Sequence, residues 1–322
     1  MDALLEPLSY AFFNKGLIVA TLSGALLGFI GVFIVLRGMS YIGHGLSHSI
    51  FGGFAASQLF AAQFYMLGAG LWGVASAIAI TTVARKGRVG ADAAIGVITT
   101  ASFALGVALF AKFGTSGPSF ENALFGSILG ISVQQIIGLV AVSILAAVFV
   151  FLRYRALIFS TFDPDVADVS GVRVARLEAM LMIVLSLAIL ATLTVIGVTL
   201  VAAMLVIPAV IGRMLTDSFG KMLAWSTCIG LFCGFVGMYA SYYAGVPSGT
   251  MIVLVGAAIF VIVLAVTGGR GLRRSAGLDD HHAPRTTVAV RPAWSPATAH
   301  PPSPCSTITA ARSRCRRTRA RR

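Results

Sequence analysis

The sequence predicts an all-α, polytopic membrane protein with eight or nine transmembrane helices. The chain has 322 residues, of which 57% are hydrophobic and only 11% charged, and its mean hydropathy is +0.92, whereas soluble domains carry about 25% charged residues. Long stretches without Lys, Arg, Asp or Glu reach or approach the ~20 residues that cross a bilayer core of ~30 Å. Because lipid offers the backbone no hydrogen-bond partners, such stretches must be helices.

The spans can be placed in order along the chain. Their expected ranges are 16–36, two spans within 38–84, 93–111, the second half of 122–152, 179–212, and two spans within 222–269. A break between the second and third spans is expected near Gly68 and Gly70, and residues 125–132 are interpreted as a short re-entrant or interfacial piece. Residues 1–15 lack the pattern of a removable signal peptide, so the first helix is expected to stay.

The number of crossings depends on residues 179–212. One straight helix over this range would be ~51 Å long, too long for an untilted crossing. A single crossing would also place Arg213 and the basic tail opposite an arginine-rich loop, against the positive-inside rule. We therefore expect two crossings with a turn at Gly197 and a kink at Pro208. The total is nine, with the N-terminus outside and the C-terminus inside; eight is the nearest alternative.

The chain divides into a transmembrane domain, residues 1–267, and a basic cytoplasmic tail, residues 268–322. The tail holds 12 of the 24 Lys and Arg residues and two acids, which gives it +10 of the net charge of +13. Its Pro, Ser, Thr and Arg content without apolar periodicity predicts disorder. The basic run could contact anionic lipid, but a solvated appendage is the simpler interpretation. No nucleic-acid partner is expected.

Two histidines lie at membrane depth in the second predicted helix. His44 and His48 are four positions apart, so they share a helix face. At ~1.5 Å per residue from Arg37, they lie roughly 10 and 16 Å inside the cytoplasmic boundary. Ionisable residues at this depth are candidate functional groups, and two neutral imidazoles on one face can bind a transition-metal ion. His44 and His48 are therefore predicted to be metal ligands.

Other interpretations of these histidines and of the remaining polar residues are less favoured. The pair could be satisfied by Ser or backbone partners between packed helices. A zinc protease would need a Glu after the first His, and Gly45 stands there. Asp92 and Glu121 are interpreted as boundary residues. None of the four cysteines has Cys-x-x-Cys spacing, and the tail histidines are treated as incidental; these are His281, His282 and His300.

A charged interior loop, within the segment 156–178, predicts a short helix outside the membrane. Asp163 suits the N-cap position, Pro164 the first helical position, and Gly171 the end of the helix. Asp165 and Asp168 would lie unfavourably on an acidic leaflet if this helix rested on lipid headgroups. A soluble partner subunit fits them better, so residues 156–178 are called the coupling segment.

Three segments together resemble the permease subunits of the zinc, manganese and iron ABC importer family. Residues 36–48 look like its Arg-x-Met and Gly-Asp-x-Leu-(Ser/Ala)-His pattern, with His48 as the matching histidine. Residues 162–167 with Gly171 are similar to its cytoplasmic coupling segment, and residues 200–209 to its Pro-containing helix. By this resemblance the ATPase-coupling residues are Phe162, Asp163, Pro164, Asp165, Ala167, Asp168 and Gly171. Residues 247–249 also fit, and the resemblance covers roughly residues 10–267.

The resemblance implies a homodimeric permease in the plasma membrane, clamped by two cytosolic ATPase subunits and fed by an extracytoplasmic metal-binding protein. The chain carries no Gly-x-x-x-x-Gly-Lys-(Ser/Thr) loop, so it is not expected to be an enzyme, and ATP hydrolysis must come from a partner. No permanent cofactor is expected, only a transported zinc or manganese ion. Family members commonly carry an Asp where this chain has His44; a second imidazole favours zinc, whereas manganese usually prefers oxygen. A secondary carrier or channel without an ATPase, or a membrane scaffold, are the alternatives.

Overall fold

The computed structural model describes residues 6–60, 65–85, 91–113 and 131–276. After a 3-10 turn at Glu6–Ser9, the helices in these ranges are α1 (Ala11–Leu36), α2 (Ile42–Phe60), α3 (Tyr65–Arg85), α4 (Ala91–Phe113), α5 (Val133–Phe162), α6 (Pro164–Val169), α7 (Val174–Ile196), α8 (Val198–Leu215), α9 (Phe219–Ala244) and α10 (Ser248–Ala276). The described part of the chain contains no strand. The predicted all-α, polytopic class is confirmed.

Several helix ends meet at one end of the bundle, which we call the Arg37 end. Phe33, near the end of α1, packs with Leu157 of α5 and with Leu177 and Leu181 of α7. The neighbouring Val32 packs with Ala209 near the end of α8 and Met222 at the start of α9. The connections that carry Arg37, Arg173, Arg176 and Arg213 therefore lie together, and the positive-inside rule predicts that this end is cytoplasmic.

Gly197 separates α7 from α8 and reverses the chain. Its φ of 84° is one that L side chains rarely adopt. Both outer ends of the α7–α8 pair lie at the Arg37 end, whereas Ile196, beside the turn, meets Gly249 at the start of α10. The pair therefore goes out and returns, as expected from the length of residues 179–212.

Nine helices of the described ranges have at least 18 residues. Seven are long and apolar enough to cross a membrane. The other two are α2, which contains both candidate histidines, and α8, in which residues Leu200–Leu215 form a shorter apolar helix. These two helices decide the number of crossings, so nine crossings stay a prediction.

Some expected boundaries were wrong. Gly68 and Gly70 lie within α3 and not at a break; Gly68 packs against Ser57 of α2, so its small size serves helix contact. The helix α5 runs on to Phe162, ten residues past the expected end of the span. The helix α10 runs on to Ala276, and the domain boundary at residue 267 stays a prediction. Residues 125–130 and 277–322, where the re-entrant piece and most of the tail were predicted, lie outside the described residues.

The backbones of α2 and α4 approach closely, and this contact positions the candidate site. A Cβ atom on Gly52 would clash with the carbonyl oxygen of Ser102, and one on Gly106 would clash with the carbonyl oxygen of Gly52. Nearer the Arg37 end, Gly45 faces Ile95 and Thr99. The two helices therefore run parallel in direct contact, as small residues permit in membranes.

Candidate functional site

The side chains of His44 and His48 form a close pair on α2. Their ring centroids lie 4.5 Å apart, with the ring planes at 70°. Both side chains are half-buried, whereas their neighbours Gly45, Leu46 and Ser47 are buried. The pair therefore occupies the open face of a helix that is otherwise surrounded by protein, as its i, i+4 spacing predicts.

Aromatic rings extend the histidine pair in both directions. On the Arg37 side, the ring of Tyr41 lies 5.6 Å from that of His44. On the other side, the ring of Phe103 on α4 lies edge to face with His48 at 5.0 Å. This packing restricts the His48 ring from one side. Sequence reasoning missed Phe103 because no local pattern connects it to a residue 55 positions earlier.

Hydroxyl groups attach α2 to its neighbours at Ser49, the residue directly after His48. The Oγ atom of Ser49 lies 2.6 Å from Oγ of Ser76 on α3 and 2.9 Å from Oγ of Ser102 on α4. The indole N–H of Trp72 donates a hydrogen bond to Ser102. The three serines are buried, where hydrogen bonds between helices satisfy otherwise costly polar groups. This cluster fixes the rotation of α2 and hence the direction of its histidine face.

The pair offers two nitrogen ligands, one from each imidazole ring. Within the described ranges, no group of three His, Cys, Asp or Glu side chains is close enough to hold a metal ion. Metal–nitrogen bonds are ~2.0–2.1 Å long, so two rings at this separation can reach one ion. A two-ligand site completed by water or by another chain binds weakly enough to release its ion. Transient binding on a path suits it better than structural binding.

The predicted short helix at the Arg37 end is present as α6. The Oδ1 atom of Asp163 accepts a hydrogen bond from the N–H of Val166 at 3.0 Å, and Pro164 occupies the first helical position. Asp163 also ends α5, since its own N–H donates to the carbonyl of Phe159 at 3.0 Å. A single residue thus joins α5 to α6. Gly171 follows the helix with a φ of 87°.

The surface of α6 is open apart from one side chain. Ala167 is fully buried, whereas Phe162 and Val169 expose 64% and 91% of their surface. Asp163, Pro164, Asp165 and Asp168 are also exposed. Apolar and acidic groups thus lie side by side on an exposed helix that has a single anchor. Such a surface suits docking of a soluble protein.

Arg37 connects the end of α1 to the end of α5. Its Nε–H donates to Oγ1 of Thr161 at 3.2 Å, and its Nη2 group donates to Oγ of Ser160 at 2.9 Å. Burial lowers the pKa of the Arg37 guanidinium, and the negative charge of Glu178 on α7 opposes that effect. The sequence pattern contains Arg37, but the hydroxyl partners lie more than 120 positions later and could not be read from it.

Comparisons with known proteins agree over most of the chain. Residues 9–267 match the family model described as the ABC 3 transport family. A manganese transport system membrane protein, MntC, from Halalkalibacterium halodurans is 35% identical over 83% of this chain and 91% of its own length. A probable iron transport system membrane protein from Haemophilus influenzae is 31% identical over 82% of this chain and 97% of its own length.

A solved structure has the same fold. It is described as PsaBC from Streptococcus pneumoniae in complex with Fab, and it matches with a TM-score of 0.74 and 28% identity over 82% of this chain and 95% of the matched chain. The matches leave residues 268–322 beyond the family model. Transport is the activity named in both the family description and the relatives' names.

Proposed function

Because the chain belongs to the ABC 3 transport family, we propose that it is the membrane-spanning permease subunit of an ATP-driven importer for divalent transition-metal ions. The cargo passes the His44–His48 pair on its way to the cytoplasm. The observation that carries this proposal is the pair itself, with its ring centroids 4.5 Å apart on the open face of α2. Ionisable side chains at membrane depth mark ion pathways.

The proposed assembly has three kinds of partner. A second copy of the chain faces the open side of α2 and supplies the ligands that the single chain lacks. Two cytosolic ATPase subunits dock on Asp165 and Asp168 of the exposed α6 helix and on Phe162, the last residue of α5. An extracytoplasmic metal-binding protein delivers the ion at the end opposite Arg37. The C-terminus then lies in the cytoplasm, as the basic connections indicate.

Zinc and manganese are the proposed cargoes. Manganese appears in the name of the MntC relative, and iron in that of the Haemophilus protein. The two nitrogen ligands of this chain favour zinc, because imidazole suits zinc and manganese usually prefers oxygen. We propose that His44 shifts the preference toward zinc while leaving manganese transport possible.

The test is uptake by the purified permease and ATPase in vesicles, supplied with the metal-binding protein. His48→Ala should reduce zinc and manganese uptake by at least about tenfold, because one of two ligands is lost. ATPase co-purification should stay unchanged, since His48 lies away from α6. The matched control is Ser143→Ala on α5, which removes a polar side chain whose hydroxyl only donates to the carbonyl of Leu139 in its own helix.

Two outcomes would contradict the proposal. Normal uptake by the His44→Ala, His48→Ala double variant would mean that the two histidines serve helix packing and not transport. Uptake that proceeds without ATP and without an ATPase would instead identify a secondary carrier or a channel.

A further inference from the structure

Arg37 lies between the two regions to which the proposed function assigns roles, and hydrogen bonds connect it to both of them. Its backbone continues to α2 and the histidine pair, and its side chain bonds the end of α5, which continues to α6. No local sequence pattern places the histidine pair and α6 together, since they are more than 110 residues apart. The hydrogen bonds in these two connections determine whether a movement of α6 can reach α2 through Arg37.

Backbone hydrogen bonds hold the short chain segment between Arg37 and α2 in a fixed conformation. The N–H of Gly38 donates to the carbonyl of Val35 at 3.1 Å, and the N–H of Met39 donates to the carbonyl of Ile34 at 3.1 Å. With a φ of 70° at Gly38, this is a Schellman motif. The N–H of Ile42 then donates to the carbonyl of Met39 at 2.9 Å. A displacement of Arg37 is therefore passed to α2 as a rigid unit, with His44 seven residues further on.

The connection from Arg37 to α6 is equally direct. The hydroxyl groups of Ser160 and Thr161 both donate to the carbonyl of Leu157, at 3.2 and 2.6 Å. Since each hydroxyl has a single proton, its lone pairs face the guanidinium, which can only donate. Both contacts are thus fixed in direction, and they lie three and four residues before the first residue of α6.

We propose that Arg37 is the positioning residue that couples movement of α6 to the orientation of α2, and so to the histidine pair. This inference rests on the proposed function, in which α6 carries the ATPase contact. A planar guanidinium can hold two hydroxyls at once in a fixed geometry, and a lysine ammonium on its flexible stem cannot. Movement of α5 and α6 then changes the position of α2 without a separate hinge.

The experiment measures ions imported per ATP hydrolysed in vesicles containing the permease and its ATPase. Arg37→Met should lower this ratio by at least about tenfold while ATPase binding and ATP hydrolysis continue, because two directed hydrogen bonds to a charged group are lost. Ser160→Ala with Thr161→Val should lower it similarly, since it removes the same two bonds from the other side. A triple variant that combines Arg37→Met, Ser160→Ala and Thr161→Val should lower the ratio no further than either change alone, because the three side chains act as one unit.

Matched controls separate coupling from a loss of charge or of folding. Arg213→Met removes an exposed basic residue at the same end of the bundle and should leave the ratio within about twofold. Thr161→Ser keeps the acceptor and should behave as the unchanged chain. Arg37→Lys should lie between Arg37→Met and the unchanged chain.

Three results would overturn the proposal. The first is an unchanged ratio in Arg37→Met. The second is a parallel loss of uptake, hydrolysis and membrane level, which would mean that Arg37 serves folding or docking. The third is a normal ratio in the variant that lacks both hydroxyl acceptors.

A second measurement keeps the inference testable apart from the ATPase. In the permease alone, Ser160→Ala with Thr161→Val should increase amide hydrogen exchange at residues 38–45, although none of those residues is changed. Unchanged exchange there would overturn the proposed connection. If the unchanged permease bound no ATPase, the proposed function would fail, and this measurement would still decide whether Arg37 connects the two helices.

Discussion

At the scale of single residues, the two histidines differ in their neighbours. His48 meets the ring of Phe103 on α4, whereas His44 meets only Tyr41 and His48 among the aromatic rings of the described residues. His44 is therefore the position at which a different ligand can be introduced with the least repacking.

We expect His44→Asp to retain transport and to change which metal is preferred. A carboxylate oxygen replaces an imidazole nitrogen, and oxygen ligands favour manganese over zinc. The ratio of manganese to zinc uptake, measured with both ions in competition, should rise by about tenfold or more. His44→Asn, which has the same shape without the charge, should lower uptake of both ions. An unchanged ratio in His44→Asp would show that this side chain does not contact the cargo.

Residue-level sequence reasoning worked where the evidence was local. The i, i+4 spacing of the histidines and the Asp163-Pro164 helix start are each contained within five residues, and the structure has both features in the expected form. Phe103 and the hydroxyl partners of Arg37 reach their positions through tertiary packing. No helical periodicity could have identified them from one sequence.

At the scale of elements, the contact between α2 and α4 holds the site in place. Gly52→Ala should destabilise the protein by ~1–3 kcal/mol, because its Cβ has no room beside the Ser102 carbonyl. Gly96→Ala on α4 is the matched control, since a Cβ there meets nothing within 4 Å. It should be neutral or stabilise by up to ~1 kcal/mol through helix propensity. The fraction of protein that stays monodisperse after heating compares the stability of the two variants. Equal loss of monodisperse protein in both would contradict the close approach of the α2 and α4 backbones.

The second prediction for an element concerns α6. Replacing Asp165 and Asp168 with Lys should abolish association with the ATPase without lowering the amount of permease in the membrane, because both side chains are exposed and reverse their charge. Co-purification with a tagged ATPase measures this. Glu6→Lys, an exposed charge reversal at the opposite end of the bundle, should leave association intact. A normal complex from the double variant would remove α6 from the proposed interface.

At the scale of the whole molecule, the family model ends at residue 267 and α10 continues to Ala276. The remaining residues are basic and poor in apolar side chains, so they have little with which to pack. Truncation after Leu278 should leave metal uptake within about twofold at equal expression. A loss of tenfold or more would assign a function to the tail.

The order of the helices was predictable because charge-free length is a strong signal, but their ends were not. A hydropathy profile does not predict that α5 and α10 continue beyond their apolar regions. A helix can extend into water where its own hydrogen bonds and packing against a neighbouring element stabilise it. The reversal at Gly197 was predictable because length and loop charge pointed the same way. The meeting of α1, α5 and α8 at the Arg37 end could not be derived, because it depends on which helices pack together.

The polar character of α2 has a consequence for how the chain is made. This helix carries both histidines and, among the described residues, is not one of the seven helices that are long and apolar enough to cross a membrane. Its Ser49 and His48 contact α3 and α4, which are synthesised after it. During synthesis, α2 should therefore leave the translocon for lipid only when α3 and α4 arrive to cover it. We therefore expect the proposed ion pathway to be completed only after a delay in insertion, and a chain that stops after α2 should fail to hold that helix across the bilayer.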